Sequence, residues 1–250
     1  MGADALEEVR ASIGDLRAAE FGVLVDLYLS YRAVEAWDEM LALVRVMPEP
    51  LARSVMVREQ LGLALNRMHR GKEAEEVLLG VIDERGASSE TYGILGRVYK
   101  DRWTESSDPL EAEGHLKRAI DAYLKGFEAD WRDAYPGVNA VTLMELIDPP
   151  DPRREELLPV VRYASTRRVL AGSPDYWDHA TLLELAVLAG DDAAATAHVG
   201  DALAVAEEGW QKQTTANNLA LIRKARSERG EDLALLDRII DSLAKPSPAS

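Results

Sequence analysis

Apolar residues recur along most of this chain at the three- and four-residue spacing of amphipathic helices. In the first segment Leu6, Val9, Ile13 and Leu16 follow this spacing. Ala, Leu, Glu and Arg dominate such segments, and runs of β-branched residues are rare. The pattern therefore predicts an all-α chain, with helices over residues 4–19, 21–31, 34–46, 51–68, 72–84, 90–103, 155–171, 176–188, 191–207, 212–226 and 232–243.

A repeat of 34 residues runs through these helices: Gly62 and Gly96 are 34 apart, and so are Leu183 and Asn217. This period is typical of tetratricopeptide (TPR) repeats, in which each unit is a pair of antiparallel helices. We therefore expect a TPR-like solenoid of about six helical hairpins that curves around a concave pocket. Small residues recur at the packing positions of these hairpins, namely Gly62, Ala74, Gly96, Ala119, Gly190, Ala195 and Ala202.

The repeat is interrupted at two places. Ala74 lies 12 residues after Gly62, whereas Ala119 lies 23 after Gly96, so about eleven extra residues fall in the polar stretch 104–116. An insertion of this kind is expected to form a loop or an extended helix. The second interruption is the proline-rich segment 148–152, which breaks helices.

We interpret residues 1–244 as a single solenoid, followed by a disordered Pro/Ser tail over 245–250. Within it, residues 1–86 are generic repeats, 87–229 are the more distinctive region, and 230–244 are a capping helix.

Charge and composition limit the function. The 29 basic and 44 acidic residues give a net charge of −15, which argues against nucleic acid as a partner. The chain has no cysteine, which excludes disulfides and thiol nucleophiles. No apolar run reaches membrane-spanning length, and the first ten residues do not resemble a signal peptide. We expect a cytoplasmic protein without a membrane segment.

The repeat register places polar residues on one predicted inner surface. In TPR arrays the first helix of each repeat lines the groove, and in the third repeat its groove positions are Arg97, Lys100 and Asp101. Counting in the same way puts Tyr135, Thr142, Trp177, Glu184 and Asn218 at groove positions of the later repeats, and Asn139 at the sixth position of its repeat. Such a set suits an anion, because arginine binds phosphate through two hydrogen bonds, aromatic rings stack bases, and carboxamides donate and accept.

Structural interpretations of the same residues remain open. Arg97, Lys100 and Asp101 could form a solvated, ion-paired helix face. Trp177, Trp210 and Tyr99 could be core between repeats, and Asn139 or Asn218 could bond backbone groups.

Catalytic motifs are lacking in the sequence. The four histidines, at 69, 115, 179 and 198, are scattered, and the Asp178-His179 pair has no second ligand at helical spacing. No phosphate-binding glycine loop and no nucleophile elbow occurs. We therefore expect no enzyme activity, no cofactor and no metal site.

Five short motifs resemble the regulatory region of apoptosis signal-regulating kinases, in the same order and with compatible gaps. They are GRVYKD at 96–101, YLKGFE at 123–128, YPGVN at 135–139, YWD at 176–178, and Trp210 followed by Asn218 and Leu221-Ile222-Arg223. The resemblance covers roughly residues 88–226. It implies a TPR-like block that binds TRAF adaptors in the kinases. Bacterial relatives occur in immunity-like gene clusters, where a nucleotide derived from NAD is the proposed signal.

Two functions follow as hypotheses. The first is a ligand-sensing regulatory module of a bacterial immunity or stress signalling system, which binds an anionic, NAD-derived nucleotide and signals to an effector or adaptor protein. The alternative is a TPR scaffold that binds a peptide or adaptor, which an exposed apolar patch would favour. The candidate ligand-binding residues are Arg97, Lys100, Asp101, Tyr135, Asn139, Trp177, Thr181, Glu184, Asn218 and Arg223.

Overall fold

The computed structural model describes residues 3–172 and 174–245, and the described residues are helical or lie in short connections. The predicted tail is outside this range from residue 246 onward. The helices are α1 Ala3–Ile13, α2 Phe21–Ala33, α3 Trp37–Val46, α4 Glu49–Ala52, α5 Val55–Arg67, α6 Gly71–Arg85, α7 Ser89–Glu105, α8 Pro109–Ala129, α9 Ala134–Glu145, α10 Arg153–Ala171, α11 Tyr176–Leu188, α12 Asp192–Val205, α13 Gly209–Glu228 and α14 Ala234–Ala244.

Two compact units make up the chain, Met1–Ala122 (unit 1) and Tyr123–Ser250 (unit 2). In unit 1, α5 packs against α3, α6 and α7. In unit 2, α11 packs against α9, α10, α12 and α13, and α14 packs against α12 and α13. The predicted helical-hairpin architecture of a TPR-like solenoid is confirmed.

Small residues at the predicted packing positions allow the helices to approach closely. Ala74, Ala119, Ala195 and Ala202 are fully buried. A Cβ atom at Gly62 on α5 would come within 2.8 Å of Leu78 Cγ on α6, so only glycine fits there without displacement. The repeat register therefore identifies most of the packing positions, and Gly190 is the exception, because it is exposed and follows α11 at φ +66°.

Several predicted helices were too long, and the two largest differences have a clear local cause. The first ends at Ile13 rather than at residue 19, because Gly14 turns the backbone into the left-handed region at φ +77°. The predicted helix 51–68 is divided into α4 and α5. Ser54 makes the break, since its hydroxyl accepts the Val57 N–H and starts a new helix.

The insertion at 104–116 forms extended helix rather than a long loop. It lengthens α7 to Glu105 and lets α8 begin at Pro109, so only residues 106–108 connect them. The Asp108 side chain accepts the backbone N–H groups of Leu110 and Glu111, which fixes the start of α8.

Candidate functional site

The ten candidate residues divide between the units. Arg97, Lys100 and Asp101 lie on α7 in unit 1, and the other seven lie on α9, α11 and α13 in unit 2. A single pocket formed by all ten stays a prediction.

In unit 1, Asp101 is the centre of a polar cluster. Arg97 Nε donates to its Oδ1 over 2.9 Å, and Asn66 Nδ2 of α5 donates to its Oδ2 over 2.7 Å. Arg97 is therefore ion-paired along its own helix, as in the structural interpretation. An anion that bound Arg97 would have to compete with Asp101.

A cleft of about 460 Å³ lies beside this cluster, and the candidate residues do not line it. Asn66 is part of its wall, together with the cations Arg70, Lys72 and Arg102. Two of these cations already have carboxylate partners, since Arg70 bonds Glu73 and Arg102 bonds Glu75. These partners offset much of the positive potential that an anion would need.

In unit 2 three candidate residues from two helices, α9 and α11, converge on one cleft. It has a volume of about 210 Å³ between α9, α10 and α11. Tyr135 and Trp177 were predicted from the repeat register, Thr181 was a further candidate, and all three line it. The full lining is Ala134, Tyr135, Val138, Ser165, Arg168, Trp177, Asp178 and Thr181.

Arg168 is a site residue that the sequence did not reveal. Its Nε lies 2.8 Å from Asp178 Oδ1, and the side chain is 63% exposed. Asp178 is in turn fixed by the capping box of α11, in which Asp175 and Asp178 bond each other's backbone N–H. Arg168 was missed because it lies on the second helix of its hairpin, which the register assigns to the outside of the groove.

Two partly exposed tryptophans, Trp177 in the cleft wall and Trp210 beside it, contact each other at the surface. The Trp177 and Trp210 ring centroids are 5.7 Å apart, and the two residues are 38% and 60% exposed. The neighbouring Tyr176 is buried, and its hydroxyl donates to Thr215 Oγ1 over 2.8 Å. Burial raises the pKa of Tyr176, which keeps it a neutral donor. Tyr99, which is 7% exposed, is thus part of the core, whereas the two tryptophans are too exposed to be core residues.

The remaining candidates in unit 2 make structural contacts. Glu184 is buried and accepts a hydrogen bond from the Thr142 hydroxyl, which joins α11 to α9. Asn139 Nδ2 donates to the Tyr135 carbonyl over 2.9 Å. Arg223 forms an ion pair with Asp237 of α14, and Asn218 is half-buried on α13. No ligand role of these four residues follows from their geometry.

A second unpredicted feature is a buried carboxylate with three arginine partners. Glu145, at the end of α9, is 1% exposed. Its Oε1 accepts from Arg226 Nε at 2.8 Å and from Arg229 Nη2 at 2.7 Å, and Arg154 pairs with Oε2. Arg226 also donates to the Val187 carbonyl at 3.0 Å. This cluster ties α9, α10 and α11 to the end of α13, which holds the helices around the cleft in place.

Among the described residues, each helix is either too short or too polar to cross a bilayer.

Several known proteins are similar to this chain in sequence, and others are similar to it in fold. The chain is 25% identical over 238 residues to mitogen-activated protein kinase kinase kinase 15 of Mus musculus, which is 88% of this chain and 17% of the kinase. It is 24% identical over 241 residues to mitogen-activated protein kinase kinase kinase nsy-1 of Caenorhabditis elegans, or 88% of this chain and 16% of that kinase. The chain thus spans about a sixth of the length of these relatives.

Two solved structures have a similar fold. A thermophilic TPR protein of Thermus thermophilus matches with a TM-score of 0.58 at 16% identity, covering 80% of this chain and all of that protein. Human IFIT1 matches with a TM-score of 0.55 at 14% identity, covering 90% of this chain and 54% of IFIT1. These likenesses establish the TPR-like fold.

The model of one protein family, the MAP3K TRAFs-binding domain, matches residues 2–240, well beyond the region 88–226 that carried the motifs. The resemblance to the regulatory region of these kinases is confirmed. This chain belongs to the MAP3K TRAFs-binding domain family.

Proposed function

We propose that this chain is a cytoplasmic, non-enzymatic regulatory module that binds a protein partner of the TRAF adaptor type through the exposed face of α10. The support from the comparisons is the family description, which names TRAF binding. The observation that carries the proposal is an unusual set of exposed apolar side chains on a single helix.

The exposed face of α10 combines apolar and basic groups. Val160, Tyr163 and Leu170 are 39%, 68% and 70% exposed, and their spacing of three and seven residues puts them on one helical stripe. Arg167 is exposed on the same stripe. Large apolar residues grouped in this way typically mark a protein interaction site. The chemistry suits a partner segment with apolar and acidic side chains.

Substitutions on this face test the proposal directly. Titration calorimetry of the purified chain with a purified TRAF adaptor should show binding, and Tyr163→Glu combined with Leu170→Glu should weaken it by at least about tenfold. Leu110→Glu is the matched control, since Leu110 on α8 is 80% exposed and should leave the affinity unchanged. Absence of binding, or equal affinity for the double variant and the wild type, would reject the proposal.

A second candidate function is sensing of a small anionic nucleotide, derived from NAD, within a bacterial immunity or stress signalling system. The observation in its favour is the unit 2 cleft, where Tyr135 and Trp177 could stack a base and Arg168 could bind a phosphate. Its volume of about 210 Å³ is below the roughly 300–1,000 Å³ of typical ligand pockets, so it would take only part of a dinucleotide. The protein-binding function is therefore the better supported of the two.

Thermal shift measurements with ADP-ribose test this second candidate. The melting temperature should rise with the ligand, and Trp177→Ala and Arg168→Ala should each abolish the rise, because both side chains line the cleft. Trp131→Ala is the control, because Trp131 is 48% exposed and does not line the cleft. A wild-type protein that shows no shift at millimolar ligand rules out the nucleotide function.

A further inference from the structure

Three potential metal ligands meet on one side of the α11–α12 hairpin in unit 2. His179 lies on α11, and His198 and Asp201 lie one turn apart on α12. Asp201 Oδ2 is 3.9 Å from His179 Nδ1 and 3.7 Å from His198 Nδ1. One ligand atom from each of the three residues falls within 4.8 Å of the other two. The sequence analysis predicted no metal site, because these histidines are 19 positions apart along the chain. Only the packing of the hairpin brings them together.

The two imidazole nitrogens that face Asp201 are not satisfied by the protein. Both Nδ1 atoms are buried and have no hydrogen-bond partner among the described residues. Their distances to the carboxylate exceed the range of a nitrogen–oxygen hydrogen bond, which ends near about 3.2 Å. Buried polar nitrogens without partners are rare in folded proteins and call for a cause, such as an ion that binds them.

We propose that His179, His198 and Asp201 form a binding site for a divalent transition-metal ion, of which Zn²⁺ is the best match. Two imidazoles and one carboxylate are a common zinc ligand set, and the imidazoles disfavour Mg²⁺ and Ca²⁺, which take oxygen ligands. Tetrahedral zinc with bonds of about 2.0–2.2 Å has its ligand atoms roughly 3.3–3.6 Å apart. The present 3.7 and 3.9 Å separations thus need to close by only about half an ångström.

Exposure and charge around the cluster are compatible with an ion. The two histidine side chains are 14% and 25% exposed, whereas that of Asp201 is 55% exposed, so solvent reaches the site from the carboxylate side. An ion can therefore enter and keep water as a fourth ligand. The nearby cation Arg162 of α10 lies 3.3 Å from Asp191 Oδ2, and this pairing reduces its repulsion of an incoming metal.

A bound ion would connect α11 to α12 through three side chains. Helix α11 also carries Trp177 and Thr181, so the ion would restrain one wall of the unit 2 cleft. This effect is independent of the protein partner proposed for α10.

Zinc titration of the tag-free chain, dialysed first against EDTA, tests the site. Calorimetry with ZnCl₂ should give one bound ion per chain with a micromolar or tighter dissociation constant. At 100 times that constant, the melting temperature should rise by a few degrees by mass action. Co²⁺ in place of zinc should give the visible absorption bands of a low-symmetry nitrogen–oxygen site.

Single substitutions decide whether these residues are the ligands. His198→Gln and Asp201→Asn should each weaken zinc binding by at least about tenfold, the size expected for a lost ligand or its support. Two different substitutions are made so that misfolding of one variant does not decide the result, and circular dichroism checks the fold of both. His69→Gln is the control, because His69 is a more exposed histidine paired with Glu105 in unit 1. Undetectable binding by the wild type, unchanged affinity in the two site variants, or an equal loss in His69→Gln would overturn the proposal.

Discussion

At the scale of single residues, Glu145 is a buried charge in unit 2 that three arginines share. Its carboxylate is almost fully buried and is shared by Arg154, Arg226 and Arg229. Burial lowers the pKa of Arg226, because removal from water disfavours the charged guanidinium group. A buried ion cluster contributes little relative to apolar packing, but breaking it leaves uncompensated charges.

Glu145→Ala should therefore destabilise the protein by about 3–5 kcal/mol, because it leaves three partly buried guanidinium groups without their common partner. Urea denaturation followed by circular dichroism measures this free energy of unfolding. Arg132→Ala, which removes an exposed ion pair with Asp130, is the control and should have no measurable effect. If Glu145→Ala lowers the free energy of unfolding as little as Arg132→Ala does, the cluster is solvated.

Glu59 gives a pH-dependent prediction in unit 1. Burial raises the pKa of this carboxyl, a hydrogen bond from Thr91 opposes the rise, and Glu90 adds to it. The folded state thus holds the proton more tightly, so the favourable contribution is complete below the unfolded pKa and is lost as the pH rises through the folded pKa. Glu59→Gln should melt higher than the wild type near about pH 7, with the difference vanishing toward about pH 4.

Thermal denaturation across this pH range measures the difference. Glu76→Gln serves as the control, since Glu76 is exposed on α6 and should show no such trend. A difference between Glu59→Gln and wild type that stays constant with pH would contradict the assigned cause.

At the scale of the helices, Gly137 sets the closest approach between α9 and its neighbours. A Cβ atom there would lie 2.9 Å from Phe127 Cδ2 of α8 and 2.9 Å from Val161 Cγ2 of α10. Gly137→Ala should therefore cost about 1–3 kcal/mol through overpacking, although alanine is the better helix former. Gly114→Ala is the matched control, because nothing lies within 4 Å of its added Cβ. Gly114→Ala should raise the free energy of unfolding by up to about 1 kcal/mol. If Gly137→Ala raises it as well, α9 can shift without cost.

Most helix spans and the proline-rich break at 148–152 could be predicted from the sequence, whereas the spans of α8 and α9 and the break at Ser54 were not predicted. The span 176–188 agrees with α11 at both ends, because an apolar stripe lies between an aspartate cap and a glycine. The division of 51–68 at Ser54 was missed, since Ser54 lies within an uninterrupted apolar pattern. Periodicity reports the face of a helix, whereas side-chain capping bonds determine where it starts.

The site was only partly predictable for a related reason. Tyr135 and Trp177 converge on one cleft because the repeat register gives them equivalent positions in successive hairpins, whereas the register made no assignment for Thr181. Arg168, Glu145 and the pair His179–His198 owe their places to contacts between helices, which no spacing along the chain encodes. The register also cannot distinguish an ion-paired arginine such as Arg97 from one that awaits a ligand.

At the scale of the whole molecule, repulsion within the net charge of −15 acts against the stability that local ion pairs contribute. Excess negative charge destabilises a compact chain through self-repulsion, and added salt screens repulsion between exposed charges. Buried clusters such as that of Glu145 are screened much less. Raising the ionic strength from about 0.01 M to about 0.15 M shortens the screening length from roughly 30 Å to roughly 8 Å, so the melting temperature should rise. Scanning calorimetry in NaCl measures this change, and choline chloride at equal ionic strength should give the same rise if screening is the cause. A fall in melting temperature would show that surface ion pairs contribute more to stability than the overall repulsion removes.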